Sequence, residues 1–376
     1  MRTIFSILLG WVVLLTMTAC HSEEQGGQKI PPVPDLNQGF STQQALELLS
    51  RVIRQYPGAA DNYRKRAEIY FQREEYDAAL QDINEAIDLK RNTGSFYVTK
   101  AKILRAERKT EDALVAAQRA EILNVRHPEL YILLADLYQQ VNQLGLARQY
   151  IARTLQINPY YGEAYFYRGI IAAKLGDTVR ALALYMHSRA LSPGFLDTYK
   201  QLSTVHYQLK QYPQSLVFVG EGLKFFPRNA DLHFRRGLTF LRISQADSAY
   251  GEFAKALKTE PEHPGARFQA AVVLFDAKKP ADALKHLEVV EKVNPQYPGL
   301  NFLLAQCLEQ VGNDDKAMDY YLLEAQQNPA NRRAAGGYWR TRKRILTSDP
   351  SLRQLDRYRP QLAIPEKSGA AGDSLQ

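Results

Sequence analysis

Residues 128–161 read PELYILLADLYQQVNQLGLARQYIARTLQINPYY, and the spacing of their apolar side chains decides the fold. Tyr131, Leu134, Ala135 and Tyr138 fall at i, i+3, i+4 and i+7, which is one stripe of an α-helix. Leu144, Ala147, Ile151, Thr154 and Ile157 keep the same periodicity, and Asn142-Gln143-Leu144-Gly145 between the stripes has room only for a turn. Pro159 stops the second helix, because proline has no N–H to give a helix interior and restrains the residue before it. The stretch predicts a helical hairpin.

The hairpin recurs along most of the chain. One alanine returns every 34 residues as Ala45, Ala79, Ala113, Ala147, Ala181, Ala249, Ala283 and Ala317, with Ser215 as the single lapse. Twelve residues further on run Pro57, Arg91, Val125, Pro159, Pro193, Pro227, Pro261, Pro295 and Pro329. Counted in windows from Ala60, the eighth residues are Ala67, Ala101, Ala135, Gly169, Ser203, Gly237, Ala271 and Ala305, all small. Two helices approach closely only where neither carries a large side chain, so Ala135 and Ala147 mark the expected crossing. Fixed self-similarity at this length signals a solenoid, in which each hairpin buries its stripes against its neighbours rather than in one central core.

These residues resemble the tetratricopeptide repeat (TPR) family. Tyr131, Leu134-Ala135, Tyr138, Ala147, Ile151 and Pro159 follow its order of aromatic, small, aromatic, alanine, bulky and proline, and Tyr165, Gly169, Ala181, Tyr185 and Pro193 repeat it. The resemblance covers residues 60–331 as eight whole repeats, with a half repeat at 41–57. No repeat carries the family's tryptophan, Ala172 and His206 replace the late aromatic of the first helix, and Arg91 and Val125 replace the closing proline. The resemblance implies an all-α, right-handed α-solenoid over 41–331. It also implies a concave groove lined by the first helices, with a protein or peptide as partner and no cofactor.

Charge is unevenly placed. The formal net charge is +8, of which residues 332–376 hold ten Lys/Arg against four Asp/Glu. The stretch Arg332 to Leu346 reads as a basic helix with Tyr338 and Trp339, and Pro350 to Tyr358 as a shorter one. Residues 332–362 are thus expected to cap the array, ahead of a disordered tail at 363–376. Arg340, Arg342, Lys343 and Arg344 suit either a solvated cap or attraction to an anionic surface. At the other end Ser41 is the expected N-cap of an amphipathic helix carrying Leu46, Leu49, Val52 and Ile53.

The beginning of the chain reads as an export signal. Arg2, the apolar run Ile4 to Leu15 and then Thr16-Met17-Thr18-Ala19-Cys20 have the parts of a secretory signal peptide at 1–19. The last four of these residues resemble a bacterial lipobox, which implies that Cys20 becomes the lipidated first residue of the mature protein; an ordinary signal peptide with an incidental cysteine is the alternative. Gly26, Gly27, Pro31, Pro32 and Pro34 make 20–40 a flexible tether. The expected location is the bacterial outer membrane, on its periplasmic face or at the cell surface.

In the TPR-like arrangement the groove positions are the fifth, ninth and twelfth of each window. Early windows supply Arg64, Glu68, Phe71, Val98, Lys102, Arg105, Ile132, Asp136 and Gln139, which are mostly polar. Later windows turn apolar with Phe166, Ile170, Tyr207, Phe234, Leu238, Leu241, Phe268, Val272, Phe275 and Phe302. Such a strip suits anchoring of a peptide, and it equally suits packing on the next hairpin. A glycan- or lipid-binding groove is the competing function.

Chemistry is not expected. The ninth positions carry no asparagine of the kind that clamps a C-terminal carboxylate, and the histidines after His21 are far apart without metal-ligand spacing. His206 and His233 stand where other repeats place an aromatic, and Cys307 lies among Leu303, Leu304 and Leu308, so these read as packing residues. Two cysteines exclude a disulfide framework and a multi-cysteine zinc site. No catalytic residues, metal site or nucleic-acid partner is predicted.

Overall fold

A computed structural model of the chain describes residues 41–348. The predicted leader, Cys20, the tether, the second capping helix and the tail lie outside the described residues. Those described form two compact units, one up to Pro159 and the other from Tyr160. Each is considered by itself below.

The first unit opens with α1 (Thr42–Gln55) and continues with three hairpins: α2 (Ala60–Gln72) with α3 (Tyr76–Leu89), α4 (Gly94–Ala106) with α5 (Thr110–Ile122), and α6 (Pro128–Gln140) with α7 (Leu144–Ile157). The second unit holds five: α8 (Gly162–Lys174) with α9 (Thr178–Leu191), α10 (Leu196–Gln208) with α11 (Tyr212–Phe225), α12 (Ala230–Arg242) with α13 (Ala246–Thr259), α14 (Pro264–Asp276) with α15 (Pro280–Val293), and α16 (Leu300–Gln310) with α17 (Asp314–Gln327). It closes with α18 (Arg332–Ser348). Among the described residues there is no strand, and the all-α repeat solenoid expected from the 34-residue period is the architecture found.

The two small-residue series meet inside every hairpin. Ala67, Ala101, Ala135, Ala271 and Ala305 of the first helices are fully buried, as are Ala79, Ala113, Ala147, Ala181, Ala249, Ala283 and Ala317 of the second. Ser215, the one lapse, keeps its hydroxyl satisfied by donating to the Ser203 carbonyl at 3.0 Å. In seven of the eight hairpins a larger side chain four residues after the small residue of the second helix fills the crossing, the exception being Ala117 of α5. Where the first helix has alanine at Ala67, Ala135 and Ala271, the filler is Ile83, Ile151 and Leu287. Where it has glycine, the filler is a ring: a methyl on Gly169 would sit inside van der Waals contact of Tyr185, and one on Gly237 inside that of Phe253. Tyr321 faces Ala305 and escapes the same conflict by turning its ring onto Gly337 of α18.

The turn inside each hairpin is equally regular. Glu74, Arg108, Asn142, Gly176, Lys210, Ser244, Lys278 and Gly312 all adopt φ between 59° and 83°, the left-handed conformation that ends the first helix. Only two of the eight are glycine, so the periodic backbone is imposed by packing against the local preference of L-residues. Arg91 leaves the end of its helix unchanged, whereas α5, which lacks the closing proline at Val125, ends one residue earlier than its counterparts, with Asn124 at φ 62°.

Successive hairpins are tied by the fourth residue of the first helix. It donates to the backbone carbonyl six residues earlier: Tyr97 Oη to Arg91 O at 3.1 Å, Tyr199 Oη to Pro193 O at 2.9 Å, and His233 Nε2 to Pro227 O at 3.1 Å. Within each unit successive first helices also touch one another, α2 with α4, α4 with α6, and α10 through α18 in the same way, while no comparable contact joins successive second helices. The first helices therefore lie on the inner side of the local bend.

Both ends are capped by specific bonds. Ser41 and Gln44 form a reciprocal capping box at the start of α1, as the sequence predicts for Ser41. At the other end α18 buries Ala334, Tyr338 and Thr341. Arg340 and Arg344 reach back to Glu309 of α16 at 3.1 and 2.8 Å, and Arg344 also to Asp314 at 2.6 Å. Arg340 and Arg344 are thus engaged by acids, and the Arg342 guanidinium stacks over the Trp339 ring at 5.1 Å. Burial alone would raise the Glu309 carboxyl, but bonds from Arg340, Tyr321 and Arg344 outweigh it and hold the group below its ordinary value of 4.5.

Two outcomes follow from these contacts. Gly237→Ala is expected to cost about 1–3 kcal/mol in urea unfolding, and Phe253→Leu, which recreates the Ala271–Leu287 pairing, should recover most of it; additive losses would refute the size-matching account. Because the Glu309 pKa is depressed, its contribution is present above 4.5 and is lost as pH falls through the lower folded value. Trp339 fluorescence should therefore report loosening of α18 only below pH 4.5, and Glu309→Gln should remove that step.

Candidate binding face of the first helices

In the unit up to Pro159 the inner face is polar and satisfies itself. Arg64 pairs with Glu68, which accepts a bond from Thr99 Oγ1 on the next first helix at 3.4 Å. Lys102 pairs with Glu129, and Arg105 Nη1 meets Asp136 Oδ2 at 2.9 Å, whose other oxygen accepts from Gln139 Nε2 at 3.0 Å. These links run from α2 to α4 to α6. Partly exposed pairs of this kind contribute about 0–1 kcal/mol each, so their main effect is to fix the register of neighbouring first helices.

In the unit from Tyr160 the predicted strip divides into two sets. The fifth-position rings are seated between hairpins. Phe166 is only 4% exposed and packs edge-on against Phe195 at 5.1 Å, just ahead of α10. Phe234 lies over Gly265 and beside His263, with ring centroids 5.0 Å apart. Phe268 repeats this against Tyr297 at 4.9 Å and faces Gly299, whose φ of 78° starts the shortened α16. Phe302 packs with Tyr321 at 6.0 Å. In the one hairpin where this position is Lys200, an ionic clamp replaces the ring: Lys200 reaches Asp231 at 3.2 Å, and Arg235 binds both Asp231 and Thr204. Burial would raise the Asp231 carboxyl, yet Arg235 and Lys200 prevail and hold it below its ordinary value.

The ninth and twelfth positions share the intermediate burial of Phe234, Phe268 and Phe302 but stand apart from the ring contacts that join hairpins. Ile170, Leu238 and Val272 are half-buried, as are Tyr207, Leu241 and Phe275 one turn further along the same faces. Leu238 and Leu241 pack at the margin of the core between α12 and α14, and Val272 and Phe275 at the margin of the next. Tyr207 accepts a bond from Arg242 Nε at 2.7 Å and packs edge-on against Tyr212 at 5.9 Å. Tyr207, Leu241 and Phe275 are one repeat apart on first helices that touch in succession, so they form a row of half-exposed apolar groups. Glu309 continues that row and is bound by α18.

The residues outside this face offer packing. Cys307 is fully buried, and burial pushes its thiol up to about 12, so it stays protonated. His206 stacks on Phe218 at 5.1 Å and meets Gln211 at 2.6 Å, while His233 is held by Glu252 at 2.7 Å as well as by Pro227 O. Among the described residues no group of His, Cys, Asp and Glu could hold a metal ion. Likewise, no helix among them is long and apolar enough to cross a membrane. The sequence reading missed the polar ladder of the first unit and the clamp at Lys200, because their partners are 31 residues apart and on different helices. The period itself carried the signal: a shift of one repeat less three residues connects Glu68 with Thr99, Arg105 with Asp136, and Lys200 with Asp231.

Comparison with known proteins agrees with this architecture. Two family profiles, both described as tetratricopeptide repeat, match residues 36–93, 132–194 and 234–298 and residues 274–336, together more than half of the chain. Anaphase-promoting complex subunit 3 of Schizosaccharomyces pombe is 20% identical over 200 residues, 53% of this chain and 30% of that protein. The chain spans less than a third of the length of the curated relatives it matches. Among solved structures, PilF of Pseudomonas aeruginosa superposes with a TM-score of 0.52 at 17% identity, over 58% of this chain and 97% of that one. The Cut9–Hcn1 hetero-tetramer of the anaphase-promoting complex gives 0.57 at 15% identity, over 80% and 59%. The chain belongs to the tetratricopeptide repeat family, an all-α solenoid that typically serves as a non-catalytic scaffold for protein or peptide partners.

Proposed function

We propose that this protein is a lipid-anchored scaffold of a bacterial envelope that binds a protein or peptide along the inner face of its second unit. The observation that carries the reading is the row of Tyr207, Leu241 and Phe275, flanked by Leu238 and Val272: half-exposed apolar groups in register on adjoining first helices. A bound helix or extended segment would complete their burial, each anchor contributing through the apolar area it loses to water. The fifth-position rings, Phe234 and Phe268 above all, hold the spacing of those helices. The outer-membrane location and the anchor rest on the lipobox-like Thr18-Ala19-Cys20, with the following tether letting the array stand off the membrane by roughly 25 Å.

A photo-crosslinking residue at Leu241 should capture the partner in cells, whereas one at Val217, exposed on the second-helix side, should not. Joint replacement of Tyr207, Leu241 and Phe275 by alanine should weaken capture at least tenfold, a typical loss for central anchors, with only a small drop in melting temperature. Phe234→Ala and Phe268→Ala should instead cost about 2 kcal/mol of stability, as removal of partly buried rings does. Equal capture at both probe sites, or undiminished capture by the triple variant, would reject this face. In the anchor test, Cys20→Ser should move the protein from the membrane to the soluble fraction; retention in the membrane would reject lipidation at that residue.

A further inference from the structure

Arg267 stands at the fourth position of α14, where earlier first helices carry Tyr63, Tyr97, Tyr131, Tyr165 and Tyr199, and α12 carries His233. It keeps the bond that marks this position, Nε donating to Pro261 O at 2.6 Å. Beside it lies a cleft of 280 Å³, lined by Tyr250, Leu257 and Lys258 of α13, Arg267 and Ala270 of α14, and His286 of α15.

Among the described residues, neither Lys258 nor Arg267 forms an ion pair with a carboxylate. His286 Nδ1 is buried and has no hydrogen-bond partner there. In the preceding repeat the equivalents of Arg267 and His286 are His233 and Glu252, which satisfy each other at 2.7 Å. Here the acid is replaced by a histidine, so Arg267 has no carboxylate at the place where His233 has Glu252. Burial lowers the His286 pKa and Arg267 lowers it further, so the ring is neutral at neutral pH. Asp282, which opposes this, is taken up by Lys285 at 2.8 Å.

We propose that this cleft is a binding site for a small organic oxyanion, a carboxylate or phosphate carried on an apolar stem. The free guanidinium nitrogens of Arg267 and the Lys258 ammonium supply charge, Tyr250, Leu257 and Ala270 face the stem, and the His286 ring forms part of the wall. Charge-assisted bonds from a planar guanidinium suit both headgroups. The volume is near the lower end for small-molecule sites, which restricts the ligand to a few carbons beyond the headgroup. The site belongs to α13, α14 and α15 and uses none of the proposed peptide-binding residues.

The test is a titration of the full chain with sodium hexanoate and, separately, with inorganic phosphate. The ring 13Cε1 signal of His286, assigned through His286→Gln, reports occupancy, with sodium chloride at matched ionic strength as control. At least one probe should shift that signal saturably; hexanoate alone identifies a carboxylate with a stem, and phosphate alone a phosphate headgroup. Lys258→Gln, at an exposed position that leaves the hairpin contacts in place, should weaken binding about tenfold, as loss of one charge-assisted partner does. Arg267→Tyr restores the ring found in five other hairpins and should abolish binding without lowering the melting temperature. Failure of both probes to shift His286 saturably would overturn the proposal, as would binding unchanged in the two variants. Peptide capture at Leu241 is read separately, so either proposal can fail alone.

Discussion

The structure depends on how closely the two helices of a hairpin approach. That approach is set where a small residue of the first helix meets a small residue of the second, and the space left at the crossing is filled by one larger side chain. Dense interiors tolerate neither a void nor an extra methyl, so a change on one helix has to be answered on the other. Gly169 with Tyr185 and Gly237 with Phe253 are one solution, and Ala271 with Leu287 is another. The residues at the crossing vary together, which lets hairpins of quite different sequence stack in register.

Much of this was legible before any coordinates. The period, the hairpin, the crossing residues and the Ser41 cap all rest on local spacing, which a sequence displays directly. What was hidden depends on which side chain meets which. The strip of Phe166 through Phe302 reads as one surface because its members share positions five, nine and twelve of a window. In the structure Phe166, Phe234 and Phe268 make ring contacts toward the next hairpin, while Leu241 and Phe275, half-buried like Phe234 and Phe268, pack at the margins of the cores. Helical periodicity cannot separate these, since both lie on the same side of the helix and differ only in how near the next helix passes. The cleft at Arg267 was hidden for a related reason: a sequence shows residues rather than the volumes between them.

The two units use their inner faces differently. The first closes its own polar groups into a ladder from Arg64 to Gln139, so a partner there would have to displace bonds already made. In the second, the row through Tyr207, Leu241 and Phe275 leaves apolar area in contact with water, and apolar area is what association can remove at least cost. At the end of that row Arg340 and Arg344 of α18 are paired with Glu309 and Asp314.

The two members of each crossing pair lie sixteen residues apart, well inside one period, as Gly169 and Tyr185 do. Gene duplication or deletion by exchange between misaligned repeats moves whole periods at a time. A breakpoint outside that short interval transmits both halves of a matched pair together, so the array can lengthen or shorten without creating a clash. A breakpoint inside the interval would join a ring from one ancestor to a methyl from another. Seams placed in the turns between hairpins keep each matched pair whole.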